Sequence, residues 1–380
     1  MIRLKPASTN GFEAIHSDSS KPQGVAYKSG SPQYQNQNTR DNMNHAETLH
    51  PGFSIVDRLS GRAQPDTAGE IAAGLFAQQA SISPKYFYDT LGCRLFQAIC
   101  ELPEYYVTRT EAAVFDTHRD AITRAAGTRK QLVDLGAGDC QKAACWFPFL
   151  DPCRYVAVDV ARPIVESALA EFAAEAPGTR FTGLIDDFST TLDLTGVLGP
   201  EPVTFFYPGS SIGNFTPSGA QHFLAQVRRY CGKPGGTPGG EPGAAPDSGL
   251  LIGVDLVKDE TTLVNAYDDA AGVTAAFNKN VLNHLQRLTG AHFDLTAFRH
   301  VALFNRVESR IEMHLEAVRD TRIVLDGLER SFRPGERIHT ENSYKYQPDD
   351  FIALLRRAGF GQVQWWTDEA RHFGVFLATP

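Results

Sequence analysis

From Gln131 onward the chain repeats one unit: a short apolar run, a turn, and a longer stretch with helical spacing. Gln131–Leu135, Arg154–Val160, Arg180–Leu184, Val203–Tyr207 and Leu250–Leu256 read as five strands. Pro163–Ala173 and Pro217–Tyr230, lying between them, carry helical patterns. Short apolar strands alternating with helices argue for a parallel sheet covered on both faces. Near the C-terminus, Asp349–Ala358 reads as an amphipathic helix, and Gly361–Thr367 and His372–Thr379 as two strands joined by a short turn. The expectation is an α/β, Rossmann-like sheet of seven strands that closes with an antiparallel hairpin.

The 380 residues fit one large domain or two medium ones. The formal net charge of −8 argues against a protein whose main job is to coat nucleic acid. The six cysteines include no CxxC pair, which reads as reduced thiols in a cytoplasmic protein, and no cluster of Cys and His has the spacing of a metal site. No apolar run approaches the roughly 20 residues that cross a bilayer. No apolar stretch follows Arg3 and Lys5 to make a secretion signal. A monomer is expected, with neither nucleic acid nor membrane as a partner.

Residues 1–65 are rich in Ser, Asn, Gln, Gly and Lys and poor in large apolar side chains, so they read as a mostly disordered extension. Residues 232–248 are dominated by Gly and Pro and read as a flexible surface insertion. Residues 121–260 and 346–380 would then make the cofactor-binding domain. Residues 66–120 and 261–345, which include the strand-like runs Arg310–Val318 and Thr321–Leu325, would make an inserted α+β domain for substrate.

Three strand ends carry cofactor chemistry. The first strand runs into Asp134-Leu-Gly136-Ala-Gly138-Asp-Cys140, where glycines permit a sharp turn and the next helix offers free amides. The second ends in Asp159, placed where a ribose diol is gripped by a carboxylate. The third leads into Asp186-Asp187-Phe188, an acid for an exocyclic amine beside an aromatic face for a purine. Each has a plainer reading, as a structural turn, a solvated acid or a helix cap. In this order they point to a nucleoside-type cofactor. A dinucleotide fits the first two nearly as well, so these residues leave methyl and hydride transfer both open.

Longer runs narrow the choice. Tyr86-Phe-Tyr88-Asp-Thr-Leu-Gly92 continues to Leu102-Pro-Glu104-Tyr105-Tyr106-Val-Thr108-Arg109-Thr-Glu111. Gly209-Ser-Ser211-Ile-Gly213-Asn214-Phe215, Gly253-Val-Asp255-Leu-Val-Lys258-Asp259 and Ala266-Tyr267-Asp-Asp269-Ala-Ala-Gly272 with Phe277-Asn278 follow, then Arg310-Ile-Glu312-Met313 and His339-Thr-Glu341-Asn-Ser343-Tyr-Lys345. Together, over roughly Ser81 to Thr379, these resemble the histidine Nα-methyltransferase family, which makes trimethylhistidine (hercynine) on the route to ergothioneine. The resemblance implies the seven-stranded class I S-adenosylmethionine methyltransferase fold with S-adenosyl-L-methionine as cofactor. It implies that Gly136, Lys142, Asp159, Asp187 and Phe188 hold the cofactor. Tyr88, near the reacting end, and Asn214 are then the catalytic candidates. Histidine would be held by Tyr105, Gly209, Asn214, Tyr267, Met313, Glu341 and Ser343. Asn214 and Tyr267 would take its carboxylate and amine, and Tyr105, Glu341 and Ser343 its imidazole.

These residue types suit those roles. Asn and Tyr donate to a carboxylate without burying another charge, while Glu and Ser can serve the two ring nitrogens. In isolation, Tyr105 reads as a core tyrosine, Met313 as a gap-filler and Glu341 as a solvated strand-end acid. Rival readings are an N-methyltransferase of the same fold acting on an indole amino acid or a histidine-derived thiol, a cofactor-binding regulator without turnover, and a nicotinamide dehydrogenase. Glu341, Ser343 and Met313 argue against the indole; the missing third glycine and the closing hairpin argue against the dehydrogenase.

Overall fold

The structure, a computed structural model, describes residues 46–60, 66–176, 178–232, 247–325 and 327–380. In chain order the strands and helices begin with β1 (Ala46–His50), β2 (Phe53–Asp57), α1 (Thr67–Leu75), α2 (Thr90–Cys100), α3 (Tyr106–Ala126), β3 (Gln131–Leu135), α4 (Gln141–Ala144) and α5 (Phe147–Leu150). Next come β4 (Arg154–Asp159), α6 (Arg162–Glu175), β5 (Arg180–Ile185), β6 (Val203–Tyr207), α7 (Pro217–Tyr230), β7 (Gly249–Asp255), α8 (Glu260–Asn265) and α9 (Val273–Thr289). The chain ends with β8 (Phe298–Asn305), β9 (Arg310–Ala317), β10 (Thr321–Leu325), β11 (Leu328–Phe332), β12 (Arg337–Tyr344), α10 (Pro348–Arg357), β13 (Gln362–Thr367) and β14 (Phe373–Thr379).

The main sheet has the order β1-β2-β5-β4-β3-β6-β7-β14-β13. Strands β2 to β7 within it pair in parallel, and β14 enters antiparallel between β7 and β13. Every residue of β3, β6 and β7 is buried, which is why these strands read as mainly apolar runs rather than as alternating ones. Successive side chains alternate between two cores. Leu132, Tyr155 and Phe206 face the layer of α3, α5 and α6, while Val133, Val156 and Phe205 face that of α7 and α10.

The seven expected strands are present, but the sheet has nine. The extra pair, β1 and β2, corrects the reading of residues 1–65 as an extension: residues 46–57 form a hairpin that adds to the β5 edge. Residues 1–45 and 61–65 lie outside the described residues, as does 233–246 of the Gly/Pro insertion. Tertiary fit holds the hairpin. Ile55 is fully buried, and a Cβ on Gly183 of β5 would come within 2.5 Å of its Cδ1, so the glycine makes its room. Arg58, 2 % exposed, donates to the carbonyls of Asp193 and Thr195 and pairs with the Asp193 carboxylate at 2.9 Å.

A second, antiparallel sheet, β12-β9-β8, carries α9 across it, and α2 packs on α9. The expected domain boundary at residue 120 falls inside α3, which packs on β14 and β7 of the main sheet. The two sheets meet where Leu256, just after β7, bridges Tyr346, just after β12.

Replacing Arg58 by Ala strands two carbonyls that accept from it. An expected loss of about 2–3 kcal/mol would show as a lower denaturant midpoint with an unchanged slope. An unchanged midpoint would mean that the bonds of Arg58 contribute nothing to global stability.

Candidate active site

Strand order reverses at β3, with β4 and β5 on one side and β6 and β7 on the other. Ligands of open α/β sheets bind outside the carboxyl ends of the strands at such a switch point. There Gly136 and Gly138 take positive φ, 71° and 53°, a conformation that side chains resist. Asp159, at the end of β4, accepts from the Gly138 amide through one oxygen and from the Ala161 amide through the other, both at 2.9 Å. Two bonded oxygens still leave lone pairs for a vicinal diol. Asp159 is in register with Ile185 of β5, so Asp187 and Phe188 follow on the adjacent strand end. The Phe188 ring lies against Tyr207 and Phe223, and a Cβ on Gly136 would meet its Cζ at 3.8 Å. An open glycine turn, a diol-ready carboxylate and a supported aromatic face fit an adenosyl group.

Glu111, buried on α3, links this edge to the next loop. It takes the Lys142 ammonium at 2.7 Å and the Gly209 amide at 2.6 Å. Desolvation opposes the charge on Lys142, but Glu111 outweighs it and the ammonium's pKa is raised. A Cβ on Gly253 would come within 2.3 Å of Glu111 Oε1, so β7 carries glycine where the acid enters.

The loop after β6 opens onto a cavity. Tyr88, Tyr105, Gly209, Asn214, Tyr267, Met313, Glu341 and Ser343 all line it, together with Phe96, Phe277 and Asp255. Every residue expected to contact histidine, and Tyr88, is therefore at one cavity; the five cofactor candidates lie outside its lining, on the strand ends and in α4. Tyr88 is 42 % exposed, its ring edge-on to Phe96 and Phe277. Asn214 ends a 3-10 turn, Ser211–Asn214, that packs on β12; a Cβ on Gly213 would reach within 2.8 Å of the Tyr344 carbonyl. On β12, Glu341 and Ser343 share a face, and Met313 of β9 pairs with Glu341. The Glu341 carboxyl is buried, and among the described residues no donor hydrogen-bonds it. Burial pushes its pKa up to about 7, against the pull of Lys345.

Behind the cavity sits a charge cluster that sequence reasoning left without a role. Asp255 accepts from Lys345 at 2.8 Å, from Lys258 at 2.5 Å and from the Tyr106 hydroxyl at 2.8 Å. Lys345 also donates to Tyr267 Oη at 3.0 Å and to Ser343 Oγ at 2.8 Å. Despite burial, the lysines hold the Asp255 carboxyl below its usual range. Burial lowers Lys258 to about 8. A signal was there to read: Glu341, Ser343 and Lys345 are spaced by two, which puts them on one strand face.

Other residues of the quoted runs hold the walls. Arg109 donates to the carbonyls of Leu102 and Pro103 and fixes the loop before α3. Asp89 caps α2 at 2.7 Å and accepts from Asn280 of α9 at 2.8 Å. Asp269 caps α9 through the amides of Val273 and Thr274. Among the described residues no group of His, Cys, Asp and Glu could hold a metal ion, and no helix is long and apolar enough to cross a membrane.

Known proteins are similar to this chain. Residues 67–380 match the profile of the family described as histidine-specific methyltransferase, SAM-dependent. The chain belongs to this family. The methyltransferase is 42 % identical over 315 residues to a histidine N-alpha-methyltransferase of Mycolicibacterium smegmatis, covering 81 % of this chain and 93 % of that one. It is 38 % identical to a protein of the same name from Mycobacterium tuberculosis, with the same coverage. Ergothioneine biosynthesis protein 1 of Neurospora crassa is 28 % identical over 76 % of this chain and 32 % of its own length. The methyltransferase is thus an S-adenosylmethionine-dependent enzyme.

Changing Glu111 to Ala frees Lys142 and leaves the Gly209 amide unpaired. At about 1–3 kcal/mol per buried group left unpaired, kcat/KM is expected to fall roughly ten- to a hundredfold, measured in steady state. An unchanged kcat/KM would mean that the bridge does not position the loop.

Proposed function

We propose that the enzyme transfers methyl groups successively to the α-amine of L-histidine, giving trimethylhistidine in ergothioneine biosynthesis. The observation that carries this reading is the pairing on β12 of a buried carboxyl that no group among the described residues hydrogen-bonds, Glu341, with a hydroxyl two residues on, Ser343. Same-face strand neighbours lie about 6.8 Å apart, room for a small ring hydrogen-bonded at both sides. Imidazole has an N–H for Glu341 and a bare nitrogen for Ser343. Indole has no ring acceptor and would leave a polar group unpaired.

The remaining roles follow the cavity wall. Asn214 and Tyr267 hold the substrate's carboxylate and amine, Tyr105 borders the imidazole, and Met313 packs beside Glu341. Gly209 leaves the loop backbone open to ligand. Gly136, Lys142, Asp159, Asp187 and Phe188 hold the cofactor, which when bound supplies an activated methyl on a sulfonium. The chain's own task is to align a neutral amine and exclude water. No strong base is needed, and Tyr88 at the mouth orients the amine. The rings of Tyr88, Phe96, Tyr105 and Phe277 lie with successive centroids about 6 Å apart. Such a wall suits the quaternary ammonium formed at the last step, which attracts aromatic faces and needs no hydrogen bond. Six unpaired cysteines support a reducing, cytoplasmic setting.

Calorimetric titration tests the placement. Glu341→Ala is expected to weaken histidine binding roughly ten- to a hundredfold while S-adenosylhomocysteine binds as in wild type; equal losses would remove Glu341 from the imidazole. The pH dependence follows from the raised carboxyl. An acid whose folded pKa lies above its unfolded value stabilises the fold most at low pH and loses that contribution as pH rises through the folded pKa. For Glu341 that window runs from about 4.5 to about 7. Substrate N–H donation favours the charged form, so histidine affinity should rise through pH 7. Its acid limb should be one proton steeper in wild type than in Glu341→Gln, and identical limbs would contradict the assignment.

A further inference from the structure

The buried ammonium of Lys345 does more than neutralise Asp255. Its side chain is fully inaccessible, and it has three N–H bonds and no lone pair. All three donors are committed, to Asp255 Oδ2 at 2.8 Å, Ser343 Oγ at 2.8 Å and Tyr267 Oη at 3.0 Å. The two hydroxyl oxygens lie 2.8 Å apart. Each already accepts from the ammonium, so a hydroxyl proton must lie between them. The phenol is the stronger acid, so Tyr267 donates and Ser343 accepts. Ser343 Oγ then has both lone pairs filled, one by Lys345 and one by Tyr267. Its own proton is all that it can present to the cavity.

We propose that Lys345 is a specificity-determining positioning residue that makes Ser343 a hydrogen-bond donor only, so that the cavity selects one neutral tautomer of the substrate imidazole. This rests on the placement of histidine between Glu341 and Ser343. Two residues apart on one strand face, Glu341 offers an acceptor and Ser343 a donor. The ring must bring its N–H to Glu341 and its bare nitrogen to Ser343. An imidazolium would set N–H against O–H at Ser343, and an indole would set C–H there. Lys345 acts without touching substrate, through the occupancy of another group's lone pairs. Asp255 keeps it charged: burial works against the ammonium, but the carboxylate outweighs burial and the pKa is raised.

Nitrogen-15 NMR of ring-labelled L-histidine, bound to the full chain with S-adenosylhomocysteine, reads the ring directly. One protonated and one unprotonated ring nitrogen, without averaging, is the expected result. Two protonated nitrogens, or averaged tautomers, would overturn the inference. Absence of any bound histidine would overturn the substrate reading, and this inference with it. Lys345→Met removes the charge at similar length. It should weaken histidine about tenfold or more and mix the bound ring forms, with S-adenosylhomocysteine affinity unchanged. Placed in a Ser343→Ala background, the same substitution should add less than about twofold, because its effect passes through Ser343. Fully additive losses would overturn the inference. Should Lys345→Met fail to fold, the wild-type spectrum still decides.

Discussion

The carboxylate of Asp255 is the point on which the two sheets and the cavity depend. It ends β7 and is fully buried, with Lys258 beside it, Lys345 from the end of β12 and Tyr106 from the start of α3. An isolated buried charge costs several kcal/mol even after relaxation, and here Lys258, Lys345 and the Tyr106 hydroxyl together offset the burial of the carboxylate. Their mutual satisfaction fixes where the end of the second sheet lies relative to the carboxyl edge of the first. Ser210 adds to the lock by accepting the Asp255 amide at 2.9 Å, which ties the loop after β6 to the same carboxylate-bearing residue.

From that lock the division of labour follows. The switch point at β3 places the glycine turn, Asp159 and Asp187-Phe188 along one edge, as parallel α/β sheets do for nucleoside ligands. The cavity is walled by elements from outside that sheet: aromatics of the α2, α3 and α9 region, and the polar face of β12. Glu111 spans the two, holding Lys142 with one oxygen and the Gly209 amide with the other. In the roles proposed for Lys142 and the Gly209 loop, the groups for the cofactor and for the acceptor amine share a buried acid, and such alignment is most of what a methyl transfer from a sulfonium needs.

Much of the sheet was legible because its strands are buried on both faces. Gln131–Leu135 and Val203–Tyr207 carry the bounds read from their apolar runs; outside that sheet Thr321–Leu325, with alternating burial, does too. The hairpin Ala46–His50 and Phe53–Asp57 escaped because its runs are short and broken by polar residues; pairing with β5, Ile55 under α6, the Asp57–Arg162 ion pair and the buried Arg58 hold it, and those contacts are made far along the chain. Strand β12, Arg337–Tyr344, has almost no apolar pattern because its cavity face is polar. The residues expected around histidine converge on one cavity, but they were named by resemblance; spacing alone reads Met313 and Tyr105 as core. Lys345, Asp255 and Glu111 carried no assigned role, since a charge acquires its meaning here from partners on other elements.

The central claim is methyl transfer to the α-nitrogen of histidine. The most direct measurement follows the product of purified enzyme, L-histidine and S-adenosylmethionine bearing a carbon-13 methyl, by mass spectrometry with fragmentation and by carbon NMR. The expected result is successive gain of one, two and three labelled methyl groups, all on the α-nitrogen. Label on a ring nitrogen, or no label on histidine while the cofactor still binds, would contradict it.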